Sequence, residues 1–470
     1  MLRVAMYLKS SPPSQKMEDL EVPLGILGQQ AGLFKLYTQL CLCFQTSDTT
    51  SQRDIADTLT KGLARLAAGF RWVAGQVIKD EAGSYKIVQY QALPSLIVRD
   101  LRHDSNIPTM DALRQTYFPF RMLDEAVIAP INTLAAGAEG PAPVFLLQAN
   151  FIKGGLLLTF ATQHNTMDMT GMAQMMYLLS KACHDESFTA EELRTGHLDR
   201  DKLIPLLDDS YTPGPELAHQ IERRAAYEST STDQDTEPTP SPSPVCTWSY
   251  FVFPPDSLRN LKTLAMKSVT DPSSYVSTDD VLSVFIWQAV SRARLPRLEP
   301  TQKTTFARAV DPRRYLDIPA TYPGLVQNMT YTVYRLDELV KQPVGIVASD
   351  LRRAVDPKTS NLGYATRALT TWFQRAEDKS DINVTATLDL SKDIMLSSWV
   401  KYNCYDLDFN LGLGKPEAVR RPQFTPVESL FYLMPKRPDG EIAAGLCLRQ
   451  EDFERLRTDA EFMKYAVYVG

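Results

Sequence analysis

Long apolar runs are missing from this 470-residue chain, and no segment approaches the 18 or so apolar residues that a membrane span requires. Residues 1–19 carry Arg3, Lys9, Lys16 and Pro12-Pro13 without an apolar core of secretory length, so neither export nor anchoring is expected. Basic charge is not in excess: 50 Lys and Arg stand against 56 Asp and Glu, for a net charge of −6. Nucleic acid and anionic membrane surfaces are therefore disfavoured as partners. Cysteine is sparse and scattered, with six in the chain, and most lie in apolar contexts such as Leu40-Cys41-Leu42-Cys43-Phe44. This is the pattern of buried free thiols, not of a disulfide framework or a zinc site, and it implies a cytoplasmic setting with no metal. No Gly-x-Ser-x-Gly elbow is present, so a serine hydrolase lacks its motif. Histidine is rarest of all among the catalytic residue types, with five in the chain.

One of those five stands in the most informative stretch. Gly154-Gly155 precedes an apolar run at residues 156–161, which reads as a strand buried on both faces. The chain then turns polar at Gln163, His164, Asn165 and Asp168. The spacing of Met172, Met175, Met176, Leu179 and Cys183 predicts an amphipathic helix directly afterwards. A strand end that delivers a histidine to the mouth of a helix is where open α/β sheets place their chemistry. His164 is the candidate base, although a His and an Asp four residues apart are a weak motif by themselves.

The length implies two or three domains. Residues 1–227 form the first predicted unit, with strands at 36–44, 85–90, 144–151 and 156–161, a helix at 51–68, and loops with short helical pieces over 100–140. Residues 228–245, rich in Pro, Ser and Thr, cannot bury enough apolar surface to offset their ordering entropy and read as an exposed crossover. Residues 246–470 form the second unit. Its strands are expected at 248–253, 306–310, 328–334, 394–399, 429–434 and 441–448. Its helices are expected at 256–266 with Asp256 as cap, from 278 or 279 through Ala289, and at 337–353, 362–375 and 451–468.

Acyl transfer to an alcohol needs a base for the hydroxyl proton, and histidine has the suitable pKa, about 6.5. Asp168 has two possible roles: it orients His164 as in a triad, or it turns away and pairs with an arginine. A second cluster, Tyr405 to Pro416 followed by Arg420-Arg421-Pro422, contains Gly412-x-Gly414. It lacks the third glycine and the strand and helix setting of a dinucleotide loop, and taken alone it reads as a structured loop.

Taken together, His164-x-x-x-Asp168, the late Asp408-Phe409-Asn410-Leu411-Gly412 loop and the mid-chain crossover resemble the BAHD-type coenzyme A-dependent acyltransferases. Ser277 to Trp287 is similar to that family's helix ending in Trp. Further segments resemble the group of fungal trichothecene 3-O-acetyltransferases. They are Phe151-Ile152-Lys153-Gly154-Gly155, Tyr322-Pro323-Gly324-Leu325, Met395-Leu396-Ser397-Ser398-Trp399, Leu413-Gly414-Lys415-Pro416 and Pro426-Val427-Glu428-Ser429. The resemblance runs from Leu27-Gly28-Gln29 to the end of the chain.

The resemblance implies an α/β, two-domain chloramphenicol acetyltransferase-like fold, with mixed sheets flanked by helices and a channel between the domains. It implies acetyl-CoA-dependent acetylation of a secondary hydroxyl, the C3 hydroxyl of a trichothecene, by direct transfer in a ternary complex with His164 as general base. The same chemistry on another fungal terpenoid or polyketide alcohol is the alternative, and a non-catalytic small-molecule binder a remote one. The resemblance also places Asp168 against Arg313 as a structural pair and makes the Asp408 and Gly412 loop structural. Lys415, Arg420 and Arg421 are candidates for the phosphates of coenzyme A. Asn165 and Thr166 fill positions that are more often small and are candidates for the substrate pocket, and Asn410 stands where glycine is usual. A channel built within one chain implies a monomer.

Overall fold

The computed structural model describes residues 20–47, 49–221, 244–269, 275–377, 379, 382–383 and 385–470. The first 19 residues and the expected crossover, apart from its last two residues, lie outside the described residues. In chain order the strands are β1 (Glu21–Pro23), β2 (Tyr37–Gln45), β3 (Gln76–Lys79), β4 (Tyr85–Val88), β5 (Ser95–Asp100), β6 (Phe145–Ile152), β7 (Gly155–Gln163) and β8 (Cys246–Phe253). They continue as β9 (Lys303–Val310), β10 (Asn328–Arg335), β11 (Ile394–Ser398), β12 (Ala418–Arg420), β13 (Leu430–Leu433), β14 (Ile442–Arg449) and β15 (Val467–Tyr468).

Three sheets result among the described residues: β1-β4-β3, β12-β2-β7-β6-β5, and β10-β9-β11-β13-β14-β8-β15. The two larger sheets are mixed, with β5 parallel to β6 and β11 parallel to both of its neighbours. This is the expected α/β architecture of mixed sheets flanked by helices.

Strand β7 lies at the centre of its sheet, and every one of its residues is buried. Period-two alternation sorts its side chains between two cores. Leu156, Leu158 and Phe160 face the large core, with Leu40, Leu42 and Phe44 of β2 beside them. Leu157 turns to the opposite side and meets Cys41, Cys43, Met110 and Leu113. All six cysteines are free thiols, and five of them are buried. The helices Gln52–Gly69 and Met169–Cys183 cover the large core, and Ser51 caps the first of them through the amide of Asp54.

The seven-stranded sheet also has two apolar faces. On one, the helix Thr278–Arg294 packs against Phe251, Phe253, Phe306, Leu396, Phe431 and Leu446. The other face, with Trp248, Tyr250, Val252, Leu430, Tyr432 and Cys447, joins the large core of the first half. Residues 399–424 cross over physically: Trp399, Tyr405, Phe409 and Val419 belong to that same core, and β12 extends the first-half sheet beside β2. The two halves therefore share one hydrophobic interior. Among the described residues no helix is long and apolar enough to cross a membrane.

Three helical expectations are corrected. The expected 337–353 helix is two, Leu336–Leu339 and Val344–Arg353, because the proline at 343 cannot continue the first. The expected 451–468 helix ends at Thr458, where the Asp459 side chain accepts from the amides of Glu461 and Phe462 and starts a new turn. The chain then finishes as β15. Asp256 does not cap its helix, which begins at Pro255 after Pro254, so Asp256 lies inside the first turn.

Candidate active site

The ladder between β2 and β7 ends at Tyr37 and Gln163, and the next backbone N–H, that of His164, donates to the Leu36 carbonyl at 2.8 Å. His164 is thus held at the strand end, and it is only partly buried while its neighbours on both sides are closed in. Its Nδ1 lies 3.3 Å from the Met167 carbonyl oxygen. A carbonyl can only accept, so the contact places the proton on Nδ1 and leaves a lone pair on Nε2. Loss of hydration lowers the pKa of the imidazole below its usual value, with the charge of Arg421 adding to the effect and Asp168 and the Met167 carbonyl opposing it. The ring can therefore stay neutral at neutral pH and accept a proton.

Asp168 turns the other way. It is 4% exposed and caps the helix Met169–Cys183 by accepting from the Gly171 amide at 3.0 Å. Its carboxylate also accepts from Arg313 Nη2 at 3.0 and 2.8 Å and from the Val326 amide at 2.9 Å. Arg313, itself buried, donates to the carbonyls of Gly324, Tyr322 and Val326 and to Asp311. Burial opposes the guanidinium charge, but Asp168 and Asp311 more than offset it and hold the arginine protonated. Gly171 makes this clasp possible, since a Cβ there would stand 2.0 Å from the Pro323 carbonyl oxygen. Asp311, pushed down to about 2 by Arg313 and Lys401 in spite of its burial, completes the cluster.

Asn165 and Thr166 are both buried, and Asn165 lines a small cavity of about 10 Å³ with Gly28, Arg200 and Tyr322. Asn165 is 1% exposed, and its side-chain amide donates to the carbonyls of Gly28 at 2.7 Å and Gln30 at 3.2 Å. The Thr166 hydroxyl is fully buried and donates to the Gln163 carbonyl at 2.6 Å. Thr166 thereby closes the turn, and Asn165 ties it to the segment at 28–30.

The Asp408 loop lies on the C-terminal end of the Met169–Cys183 helix. The Asp408 carbonyl accepts from Ser180, and Phe409 packs 5.6 Å from the Phe160 ring centroid. Asn410 takes the left-handed backbone at φ 56°, which asparagine tolerates, and its side chain donates to the Cys183 carbonyl at 3.1 Å. Gly412 and Gly414 follow at φ 71° and 68°, with open space around both.

Of the expected phosphate contacts, Lys415 is exposed and paired with Asp406 at 2.7 Å. Arg420 and Arg421 are instead 2% and 3% exposed and cannot meet a ligand from solvent. Arg420 points into the core toward the Tyr117 and Phe118 carbonyls, because β12 is an inserted strand and not a surface loop.

The open space lies on the Asp168 side of the turn. A cavity of about 610 Å³ is lined by Asp168, Met169 and Thr170 from the first half and by residues between Ser277 and Lys436 from the second. Six cationic side chains line it (Arg308, Arg313, Arg314, Arg352, Lys401, Lys436) against three acidic ones (Asp168, Asp279, Asp311), and with the buried Asp280, which accepts from Arg308 and Arg352, the balance is still positive. A second cavity, of about 520 Å³, adjoins it at Thr170, Asp311, Lys401 and Tyr402 and is lined further by Ala173, Tyr177 and Leu407. Arg308, Arg314, Arg352, Tyr402 and Lys436 were not singled out in the sequence; the run Arg308 to Arg314, with four arginines or acids around Pro312, was the available signal. His164 itself lines neither of these two cavities.

Residues 120–463 match the Transferase family, and residues 36–183 match the Trichothecene 3-O-acetyltransferase-like N-terminal domain. An O-acetyltransferase of Cryptosporiopsis sp. is 52% identical over 96% of this chain and 98% of its own. The trichothecene 3-O-acetyltransferase of Fusarium sporotrichioides is 47% identical over 97% of this chain and 99% of its own. Among solved structures, the F. sporotrichioides enzyme complexed with coenzyme A and T-2 superposes with a TM-score of 0.88 at 46% identity, covering 96% of this chain and 100% of that one. The F. graminearum enzyme with coenzyme A and deoxynivalenol gives 0.89 at 44% identity, with the same coverage. Vinorine synthase, 16% identical over 97% of this chain and 95% of its own, shares the fold with a TM-score of 0.63.

Proposed function

Because this chain belongs to the Transferase family and is an O-acetyltransferase of its trichothecene 3-O-acetyltransferase-like branch, we propose that it moves the acetyl group of acetyl-CoA to the C3 hydroxyl of a trichothecene. The single observation that carries this reading is the free Nε2 of His164 at the end of β7, in a chain similar over its length to relatives solved with coenzyme A and T-2 or deoxynivalenol.

The chemistry follows from the residues. His164 Nε2 accepts the proton of the acceptor hydroxyl as its oxygen attacks the thioester carbonyl. The tetrahedral intermediate collapses with release of the coenzyme A thiol, to which the imidazolium returns the proton. No covalent enzyme intermediate is needed when both substrates are bound together, and alignment of the two supplies most of the remaining rate. Asp168 takes no part in the proton transfer; it fixes the turn that presents His164.

The electropositive cavity is the natural place for the anionic end of acetyl-CoA. Its excess of positive charge matches the phosphates of the cofactor, with Arg314, Lys401 and Lys436 as its exposed cations. These residues replace Arg420 and Arg421 in that role. Because one chain builds the whole cavity, a monomer suffices, and the free thiols fit a cytoplasmic enzyme.

Incubation with acetyl-CoA and a 3-hydroxy trichothecene tests the reading. Formation of the 3-acetyl ester with release of free thiol is expected; thiol release without a trichothecene ester contradicts the acceptor. The relative from Cryptosporiopsis, whose name specifies no acceptor, favours a second reading in which the same transfer serves another fungal alcohol. A panel of terpenoid and polyketide alcohols read by thiol release separates the two.

A further inference from the structure

Arg421 is a buried cation held out of ion-pair contact, and the carboxylate whose charge it feels, Glu125, is itself buried. It is 3% exposed, its Nη atoms reach only the Gln39 carbonyl and the Thr133 hydroxyl, both at 3.5 Å, and its Nε has no hydrogen-bond partner. No ion pair is formed to it among the described residues. In place of a carboxylate it has rings: its guanidinium carbon lies 4.4 Å from the centroid of Phe424, 4.7 Å from Tyr432 and 5.6 Å from Trp399. An unpaired charge in the interior is expensive, and a protein that needed only volume there would have placed an aliphatic side chain.

Two features of its position bear on the chemistry. Trp399 lines the electropositive cavity, so Arg421 stands directly behind one wall of that space with a single indole between. On its other side, Arg421 contacts β2 at Gln39 and the Thr133 segment that accepts from the Tyr37 amide. Tyr37 is the β2 residue opposite Gln163, immediately before His164. The guanidinium is therefore held between the cavity and the strand end that carries the imidazole.

We propose that Arg421 is a positioning residue for acyl transfer, a fixed internal positive charge held between the electropositive cavity and the end of β7 that keeps the His164 ring in the form that can accept a proton. The proposal rests on His164 acting as the base. The field acts on the resting enzyme: it disfavours an imidazolium before substrate binds, so the ring meets the hydroxyl with its Nε2 lone pair free. The tyrosine and tryptophan faces hold the cation without neutralising it, which a carboxylate would do.

The other ionisable groups around His164 are accounted for. Asp168 on its own turn is matched by Arg313 and shares the vicinity of Asp311 and Tyr402. Arg200 donates to the Thr166 carbonyl at 2.7 Å. Across β2, Tyr37 donates to the Pro143 carbonyl, and Glu125 accepts from the Thr133 amide and from Gln39. Burial raises the carboxyl of Glu125 above its usual range, so it is a weak counter-charge to Arg421. Burial has the larger effect on His164, and Arg421 adds to it.

The test is a titration of His164 in the full-length enzyme, followed by the imidazole Cε1–H resonance of histidine-labelled protein and assigned by its absence in H164N. The variant R421M fills the aromatic cage without charge, R421Q keeps a donor toward Gln39 and Thr133, and R421K keeps the charge. In whichever neutral variant folds, the midpoint of His164 is expected to rise by roughly 0.5 pH unit, while R421K stays at the wild-type value. The acid limb of kcat/KM should move with it. An unchanged or lowered His164 midpoint in a folded neutral variant overturns the proposal. The resonance is read without turnover, so a failure of the assigned activity leaves this outcome legible.

Discussion

Asp168 is 4% exposed and accepts four hydrogen bonds, from Arg313 twice, from Val326 and from Gly171. Asp408 leaves its carboxylate 42% exposed, bonded to the Asn410 amide at 2.8 Å and facing His184 at 3.7 Å. Both aspartates belong to motifs that define the family resemblance, yet one ties the two halves of the chain together and the other shapes a surface loop. The lesson is that a motif residue's weight is set by the solvation of its charge: losing the buried carboxylate leaves buried donors of Arg313, Val326 and Gly171 without their acceptor, while losing the exposed one leaves water.

The largest effect that separates the two regions is on stability. Asp168→Ala leaves the buried Arg313 with Asp311 as its remaining carboxylate and takes the acceptor from the Gly171 and Val326 amides, and a loss of about 3 kcal/mol is expected in denaturant unfolding. If Asp168→Ala unfolds like wild type and loses only turnover, the orienting role is right and the comparison breaks. A smaller effect comes through Asp311, whose folded pKa of about 2 lies below its ordinary 3.8. Its contribution is fully present above pH 4 and is lost as the pH falls toward 2, amounting to about 2 kcal/mol. Unfolding midpoints measured between pH 5 and 2 should fall less steeply in Asp311→Asn. The smallest effect belongs to the exposed loop: Asp408→Ala should cost less than about 1 kcal/mol. A loss as large as that of Asp168→Ala would erase the distinction.

Much of this arrangement was legible in the sequence, for physical reasons. Strand β7 and the helix after it were marked by an apolar run that stops abruptly and by 3.6-residue spacing, and both lie within two or three residues of the expected positions. The division of the 337–353 and 451–468 segments was carried by single residues, Pro343 and Asp459, whose local effect outweighs a helical periodicity. Arg420 and Arg421 illustrate what sequence alone could not show. Two adjacent arginines before a proline read as surface charge, and only the pairing of β12 with β2, a contact between residues nearly 380 apart, turns both inward. Asn165 and Thr166, next to the candidate base in sequence, are buried in hydrogen bonds to Gly28, Gln30 and Gln163 that only the fold assembles. The electropositive cavity draws its cations from Arg308 to Lys436, separate segments that the fold alone assembles.

The central claim is that His164 carries the proton transfer while the residues around it only hold it in place. The most direct test is kcat for thiol release from acetyl-CoA in the presence of the acceptor alcohol, compared between wild type and His164→Ala, with an unfolding curve for each. A fall of roughly 10²- to 10⁴-fold with an unaltered unfolding midpoint is predicted; a folded His164→Ala that turns over like wild type contradicts the account.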